Sequence, residues 1–262
     1  VENQRLIELE NGFNFRELGG YPTLDGATTK WHKLIRAAHM SDLNTRELAF
    51  LYDYGIRTVI DFRSSSEVAT YPDHLSSFFR YIRIPVFDND ITESNASVDE
   101  IRKYFASSPK AGFDRMMRVY RQLVISEQSH RAYQDFFRAL ICGGSIGGVL
   151  FHCSAGKDRT GMGAILLLNA LNVPEKQIFQ DYLMTNRYST KRVQERLDYA
   201  KKVRMNECYL QSIWDLSTVN KFYYDQIVAL VNYQYGGFNT YLKDVIGVEP
   251  LVISQLKELY LS

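Results

Sequence analysis

Cysteine is scarce in this chain of 262 residues: there are three, Cys142, Cys153 and Cys208. A sparse, odd set at wide spacing excludes a disulfide framework and leaves no paired zinc-ligand spacing. Proline is also rare, six in all and never clustered. There is no Pro/Gly/Ser-rich linker, no low-complexity tract and no internal repeat, so one domain over 1–262 is the simplest organisation. Charge of one sign is missing too. The formal net charge is +1, which gives no electrostatic reason for a nucleic-acid partner. No apolar run approaches the length of a membrane span. The chain starts at Val1 rather than Met. A removed leader would fit that start, so the compartment, cytoplasmic or secreted, is left open.

What is present is a core. Hydrophobic residues make up 45% of the chain, a globular composition. Thr58–Phe62 is β-branched and apolar and reads as a buried strand. Leu43 to Tyr54 before it reads as a helix, with Ser41 or Asn44 as cap and Gly55 as stop. Tyr81–Val86 alternates like a strand, at an edge because of Pro85. From Val98 to Leu140 apolar residues recur at three- and four-residue steps, Met116, Tyr120 and Leu123, then Tyr133, Phe136, Phe137 and Leu140. Val149–Phe151 is a short apolar strand after a glycine-rich turn, and Thr160 to Leu171 reads as a buried helix. Most of 175–261 is helical. The fold class expected is α/β, a central sheet flanked by helices. Cys142 and Cys208 read as small buried apolar side chains. Tyr223, Tyr224, Tyr233 and Tyr235 read as a core aromatic cluster, and Lys201–Arg204 as a solvated helix face that could also dock an anionic membrane surface.

One segment carries chemistry: His152-Cys153-Ser154-Ala155-Gly156-Lys157-Asp158-Arg159-Thr160-Gly161, running from strand through a tight loop into a helix. Successive backbone N–H groups in such a loop converge into an anion-binding concavity. The helix that follows aims its positive end at the same place. Arg159 adds a planar fork able to hold two phosphate oxygens. Such a setting lowers a thiol from about 8.5 to roughly 3.5–7.5. A thiolate at Cys153 could attack phosphorus, with the N–H groups and Arg159 stabilising the transition state. Gly156 lets the backbone turn with no Cβ against the phosphate. The Thr160 hydroxyl sits where it could donate to the sulfur. The Gly-Lys-Ser/Thr order of a Walker nucleotide loop is missing.

This segment resembles the signature of the protein tyrosine phosphatase superfamily. Its adjacent Lys157 and Asp158 resemble one branch, the bacterial tyrosine and dual-specificity phosphatases that also act on phosphoinositides. Asn14–Tyr21, Ile60–Ser64 followed by Glu67, Asp181–Asn186, Tyr241-Leu242 and Ile246–Val248 resemble the same branch, so the likeness spans most of the chain. It is weakest over 90–140 and 187–235, and helical lids or insertions are expected within about 90–140 and 175–235.

The resemblance implies a phosphatase acting on phosphotyrosine, with phosphoserine/threonine and phosphoinositides as further substrates, through a phosphocysteine and without cofactor or metal. The alternatives are a mainly lipid phosphatase, a rhodanese-like sulfurtransferase, and a phosphate-binding module without turnover. The substrate would be a phosphorylated protein, peptide or phosphoinositide, and the protein a monomer with at most peripheral membrane contact. The resemblance also suggests Asp158 as the proton donor, since a carboxyl beside a phosphate dianion is driven towards its protonated form. Asp88 and Asp90 are the other candidates. Lys157 would face a second phosphate or raise the local potential. His152 would bury itself, bond to the loop backbone and orient Cys153; no second metal ligand lies at useful spacing to it. Ser154, Ala155, Gly156, Lys157 and Thr160 would line the bound phosphate. Asp61 and Arg63, at a strand end, are secondary site residues or a structural ion pair, and Arg16 is placed near the site by resemblance alone.

Overall fold

Adjacent residues of the strands pack on opposite faces of one sheet. Leu34 of β2 (Leu34–Ala37), Ile60 of β3 (Ile56–Asp61) and Val149 of β5 (Gly148–His152) enter a large core cluster. Their neighbours Ile35, Val59 and Leu150 enter a smaller one on the other side. This is the period-two alternation of a strand buried on both faces. The computed structural model describes residues 3–87 and 98–262. The sheet is completed by β1 (Arg16–Glu17) and β4 (Arg80–Arg83) and has the order β1-β2-β5-β3-β4. Only β1 runs antiparallel. β4 is one of the two edge strands, and Pro85 lies just past it.

The helices are α1 (Thr45–Tyr54), α2 (Ser65–Thr70), α3 (Val98–Ala106), α4 (Ala111–Ile125), α5 (Glu127–Gly144), α6 (Arg159–Ala170), α7 (Glu175–Tyr188), α8 (Thr190–Lys202), α9 (Glu207–Ser217), α10 (Lys221–Tyr235), α11 (Phe238–Thr240) and α12 (Pro250–Tyr260). Asn44 caps α1 in a full capping box with Glu47, and Gly55 closes it at φ 116°, a backbone region glycine enters without a Cβ penalty. α1 covers the smaller core with Leu48 and Leu51. The larger core lies between the sheet and α4–α7, α10 and α12. None of the described helices is long and apolar enough to cross a membrane.

Two expectations about single residues fail. Cys142 is exposed and Cys208 half-buried. On α5 the buried face runs through Tyr133, Phe136, Phe137 and Leu140, and Cys142 falls off it. Tyr233 is 93% exposed, while Tyr223 and Tyr224 are buried. The inward stripe of α10 is Tyr223, Ile227 and Val231 at four-residue steps, and Tyr233 lies off that stripe. Lys201, Lys202 and Arg204 are exposed.

The strands β2, β3 and β5 are parallel neighbours, so their carboxyl ends share one rim of the sheet. β5 sits between β2 and β3, out of chain order. Crevices at such a rim are where α/β folds bind ligands. Cys153 is the first residue past β5.

Candidate active site

The chain leaves β5 at His152 and re-enters regular structure at Arg159, the first residue of α6. Between them the loop turns its carbonyls into the protein. Cys153 O faces Nδ1 of His152 at 3.2 Å. Ser154 O accepts from His39 N at 3.2 Å. Asn14 Nδ2 donates to Ala155 O (2.9 Å) and Gly156 O (3.1 Å), and Arg36 adds a second bond to Gly156 O at 2.9 Å. Asp158 O starts the ladder of α6 by accepting from Met162 N, and Arg159 O accepts from the Tyr133 hydroxyl at 2.9 Å.

The N–H groups behave in the opposite way. Among the described residues, no hydrogen bond leads from the amide N–H of Ser154, Ala155, Gly156, Lys157 or Asp158 to another protein group. A loop whose carbonyls are mostly bonded to protein and whose consecutive donors are unspent has the form of an anion nest. Gly156 makes the turn at φ 65°. A Cβ there would strike the Ala37 carbonyl at the end of β2. The neighbouring strand therefore requires the glycine.

Cys153 is 2% exposed and lies in the wall of a cavity of about 560 Å³. Ser154, Ala155, Lys157, Asp158 and Arg159 line the same cavity. Phe13, His39 and Tyr71 form an aromatic wall, His39 stacked on Tyr71 and edge-on to Phe13.

Arg159 is held from outside the loop. Its NH1 and NH2 meet Glu67 Oε2 and Oε1 at 2.6 and 2.7 Å. Five guanidinium N–H bonds exist, so the fork keeps donors for a second anion. Burial opposes the charge on Arg159, but Glu67 and Cys153 outweigh it and raise its pKa. Burial would likewise raise Glu67, yet Arg159 and Ser154 pull it down to about 2. Ser154 Oγ donates to Glu67 Oε1 at 2.5 Å. Glu67 also closes the Ser64 capping box of α2.

Lys157 and Asp158 are paired at 3.2 Å. Lys157 is only 3% exposed and donates to Thr218 O at 3.3 Å, beyond α9. Burial lowers its pKa, and Asp158 offsets part of that. Asp158 accepts at Oδ1 from the Tyr120 hydroxyl (2.6 Å), which in turn accepts from Tyr182 at 2.9 Å. Asp88 and Asp90, the other acids considered, lie outside the described residues. Thr160 is buried, and among the described residues its hydroxyl has no partner.

Behind Cys153 lies a sealed charge cluster. His152 Nε2 is 3.0 Å from Asp73 Oδ2 and 3.9 Å from Asp61 Oδ2. Arg63 NH2 reaches Asp61 Oδ2 and Asp73 Oδ2, both at 2.7 Å. The Tyr81 hydroxyl donates to Asp61 at 2.7 Å. Burial would lower His152, but Asp61 and Asp73 hold it above its ordinary value. On its Nε2 side the contact with Asp73 is a charge pair without hydrogen-bond geometry. Spacing along the chain gave no ligand partner for His152, whereas the fold groups it with Asp61 and Asp73 in a set that could hold a metal ion. Arg63 already supplies positive charge to both carboxylates there. Asp61 and Arg63 thus form an ion pair, and Arg63 reaches the cavity wall with 1% exposure.

Arg16 lies beneath the loop and is fully buried. Its Nε bonds Asp181 Oδ1 at 3.0 Å, NH2 bonds Asp181 O and Thr185, and NH1 bonds Asn14. Arg36 NH1 takes the other oxygen of Asp181 at 2.7 Å. Glu67, Asn14, Arg36, Asp73 and Tyr120 escaped the sequence reading as site residues. Glu67 alone left a signal: a Ser-x-x-Glu capping box directly after the Asp61–Arg63 strand end.

The model of a tyrosine phosphatase family matches residues 7–262. A Cupriavidus necator protein named a tyrosine-protein phosphatase is 27% identical over 100% of this chain and 90% of its own. A tyrosine-protein phosphatase of Nostoc commune is 30% identical, covering 85% of this chain and 72% of its own. The triple specificity protein phosphatase PtpB of Mycobacterium tuberculosis is 28% identical over 68% of each chain. Among solved structures, TpbA of P. aeruginosa is 15% identical over 71% of this chain and 89% of its own, with a TM-score of 0.36. A TpbA complex with pTyr gives 16%, 60%, 70% and 0.34.

Proposed function

The chain belongs to the tyrosine phosphatase family, and from that premise we propose that Cys153 is the nucleophile and that the whole chain works as one catalytic unit. The observation that carries this is the loop itself: carbonyls mostly bonded to protein outside, five unspent N–H groups inside, and Cys153 at the head of the loop in the cavity wall. The aromatic wall of Phe13, His39 and Tyr71 suits the ring of a phosphotyrosine.

In the first step the Cys153 thiolate attacks phosphorus, an S–P bond forms and the P–O ester bond breaks. The leaving phenolate oxygen takes a proton from Asp158, which Tyr120 orients through its 2.6 Å bond. The charge on the equatorial oxygens falls on the N–H groups and on the unspent side of the Arg159 fork. In the second step water attacks phosphorus, gives its proton to the Asp158 carboxylate and releases inorganic phosphate, and the S–P bond breaks. Glu67 is a positioning residue, because it fixes the plane of the fork.

The printed name of the Mycobacterium tuberculosis relative is "triple specificity". That name supports activity on phosphoserine/threonine and phosphoinositides as well. A mainly lipid preference is the second reading, favoured by Lys157 inside the loop.

Cys153→Ser is expected to keep binding vanadate while losing turnover of p-nitrophenyl phosphate and a phosphotyrosine peptide; turnover at the parent rate would overturn the assignment. Asp158→Asn should slow phosphotyrosine hydrolysis by about 10²–10⁴, the usual worth of a general acid. It should slow p-nitrophenyl phosphate much less, since that leaving group needs little protonation. An equal, small loss on both substrates moves the proton to Asp88 or Asp90.

A further inference from the structure

One residue far from the phosphate loop in sequence sets the direction of its peptide planes. Asn14 lies just before β1 and is 1% exposed. The backbone around it is pinned twice. Asn14 N donates to Tyr188 O at the end of α7 (3.2 Å), and the carbonyl of Phe13, a cavity-wall residue, accepts from Ala38 N past β2 (3.4 Å). The φ of Asn14 is 56°, the left-handed region that asparagine enters at lower cost than most side chains. Its side-chain Oδ1 accepts from Arg16, and Nδ2 donates to Ala155 O at 2.9 Å and Gly156 O at 3.1 Å. A guanidinium only donates, so the amide oxygen must face Arg16 and the NH2 group must face the loop. Asp181 and Thr185 anchor Arg16 in turn.

The direction of two loop amides follows from these bonds. A peptide unit is planar, and in its trans form the C=O and N–H point to opposite sides. No cis peptide occurs among the described residues. Ala155 O shares a plane with the Gly156 N–H, and Gly156 O shares one with the Lys157 N–H. Holding the two carbonyls against Asn14 turns those N–H groups to the opposite side, where Ala155 and Lys157 line the cavity with Cys153. Both N–H groups are among the five unspent donors of the loop. Arg36 also bonds Gly156 O, at 2.9 Å.

We propose that Asn14 is a positioning residue for the reaction: from behind the loop it holds Ala155 O and Gly156 O, and so aims the Gly156 and Lys157 N–H groups at the phosphoryl oxygens. This rests on the phosphatase reading above. Three demands meet at position 14: a left-handed backbone, an acceptor for Arg16 and a paired donor for the loop. Asparagine meets all three. Glycine meets only the first. Aspartate meets the first two but sets a second carboxylate oxygen against two carbonyl oxygens.

The test compares Asn14→Asp and Asn14→Gly with the parent, for orthovanadate affinity and for kcat/KM on p-nitrophenyl phosphate and a phosphotyrosine peptide. Both variants should raise the vanadate Kd about tenfold or more, the size of one hydrogen bond to a charged group. Both should lower kcat/KM by about 10²-fold, the scale of one lost oxyanion donor. The loss should be equal on the two substrates, because the amides act on the phosphoryl group and not on the leaving oxygen. A purely structural role would reduce the folded fraction and leave the vanadate Kd and KM of the remainder at parent values, and that result overturns the proposal. So does weakening by Asn14→Asp alone, which traces the effect to its added charge. In the parent, the amide proton resonances of Gly156 and Lys157 should move downfield as vanadate binds. If they stay in place the proposal fails, even where neither variant folds. A parent that binds no vanadate, or turnover by Cys153→Ser, would instead sink the underlying reading.

Discussion

Two carboxylate–arginine clusters flank the phosphate loop, alike in chemistry and opposite in setting. Beneath the loop, Asp181 holds Arg16 and Arg36, all three about 1% exposed or less. At the mouth, Glu67 holds Arg159, with side chains 17% and 10% exposed. Both carboxylates are drawn down to about 2 against the opposing effect of burial. In the sealed cluster Arg16 bonds Asp181, Thr185 and Asn14, and Arg36 bonds Asp181 and the Gly156 carbonyl, while the buried Arg36 Nε has no partner among the described residues. The mouth cluster spends two N–H bonds on Glu67 and faces a cavity with the rest. The difference teaches that burial of an ion pair does not by itself mark function. What separates the two is whether the arginine borders open space: Arg159 lines the cavity, and Arg16 and Arg36 do not.

The comparison breaks most visibly at Asp181. Asp181→Asn strands two buried guanidinium groups, and losing one partner of a buried pair costs about 3–5 kcal/mol. Urea unfolding should register that loss, and a variant as stable as the parent would mean the cluster is not what holds the loop from below. Glu67→Gln is the matching change at the mouth. It should cost little stability but lower kcat/KM by roughly 10–10² through a loosened fork, the scale of a misplaced contact. Equal effects on stability and turnover in both variants would erase the distinction.

The pH dependence sharpens it further. With folded-state values near 2, both pairs contribute fully above about pH 4, and that contribution is lost as pH falls through about 2. Glu17 of β1 is the contrasting case, a buried carboxyl in no ion pair among the described residues, although Arg5 opposes its protonation from nearby. Its Oε1 accepts from His32 N at 2.9 Å, and Oε2 has no partner. Burial raises it from 4.5 to about 8. Its neutral form is the one the fold accommodates, so its contribution is complete below about pH 4.5 and lost as pH rises through about 8. Stability should decline by roughly 1 kcal/mol per pH unit between pH 5 and 7 from this group. Glu17→Gln should flatten that slope in thermal melts taken across the range, and an unchanged slope would remove Glu17 as its source.

Much of the site was legible because its parts are consecutive. Cys153, Gly156, Lys157, Asp158 and Arg159 belong to one loop, and the apolar strand before it and the helix after it could be read from periodicity. β3, β5 and α1 fell close to their observed limits for the same reason. β1 and β2 did not stand out: Arg16, Glu17 and Arg36 are charged residues inside strands, and only partners far along the chain make their burial tolerable. Asp73 follows Pro72 in an irregular stretch with no pattern of its own, yet it lies 3.0 Å from His152.

The sequence alone determined the alternating core, the caps and the anion-binding loop, because each depends on residues within a turn or two of one another. Only the tertiary structure decided which carboxylate clamps Arg159, which side chains hold the loop carbonyls outward, and which arginines border the cavity. Those pairings join residues up to 142 positions apart, such as Asn14 and Gly156. A charged group buried by the fold must find its counter-charge wherever the packing brings one, and local spacing carries no record of that partner.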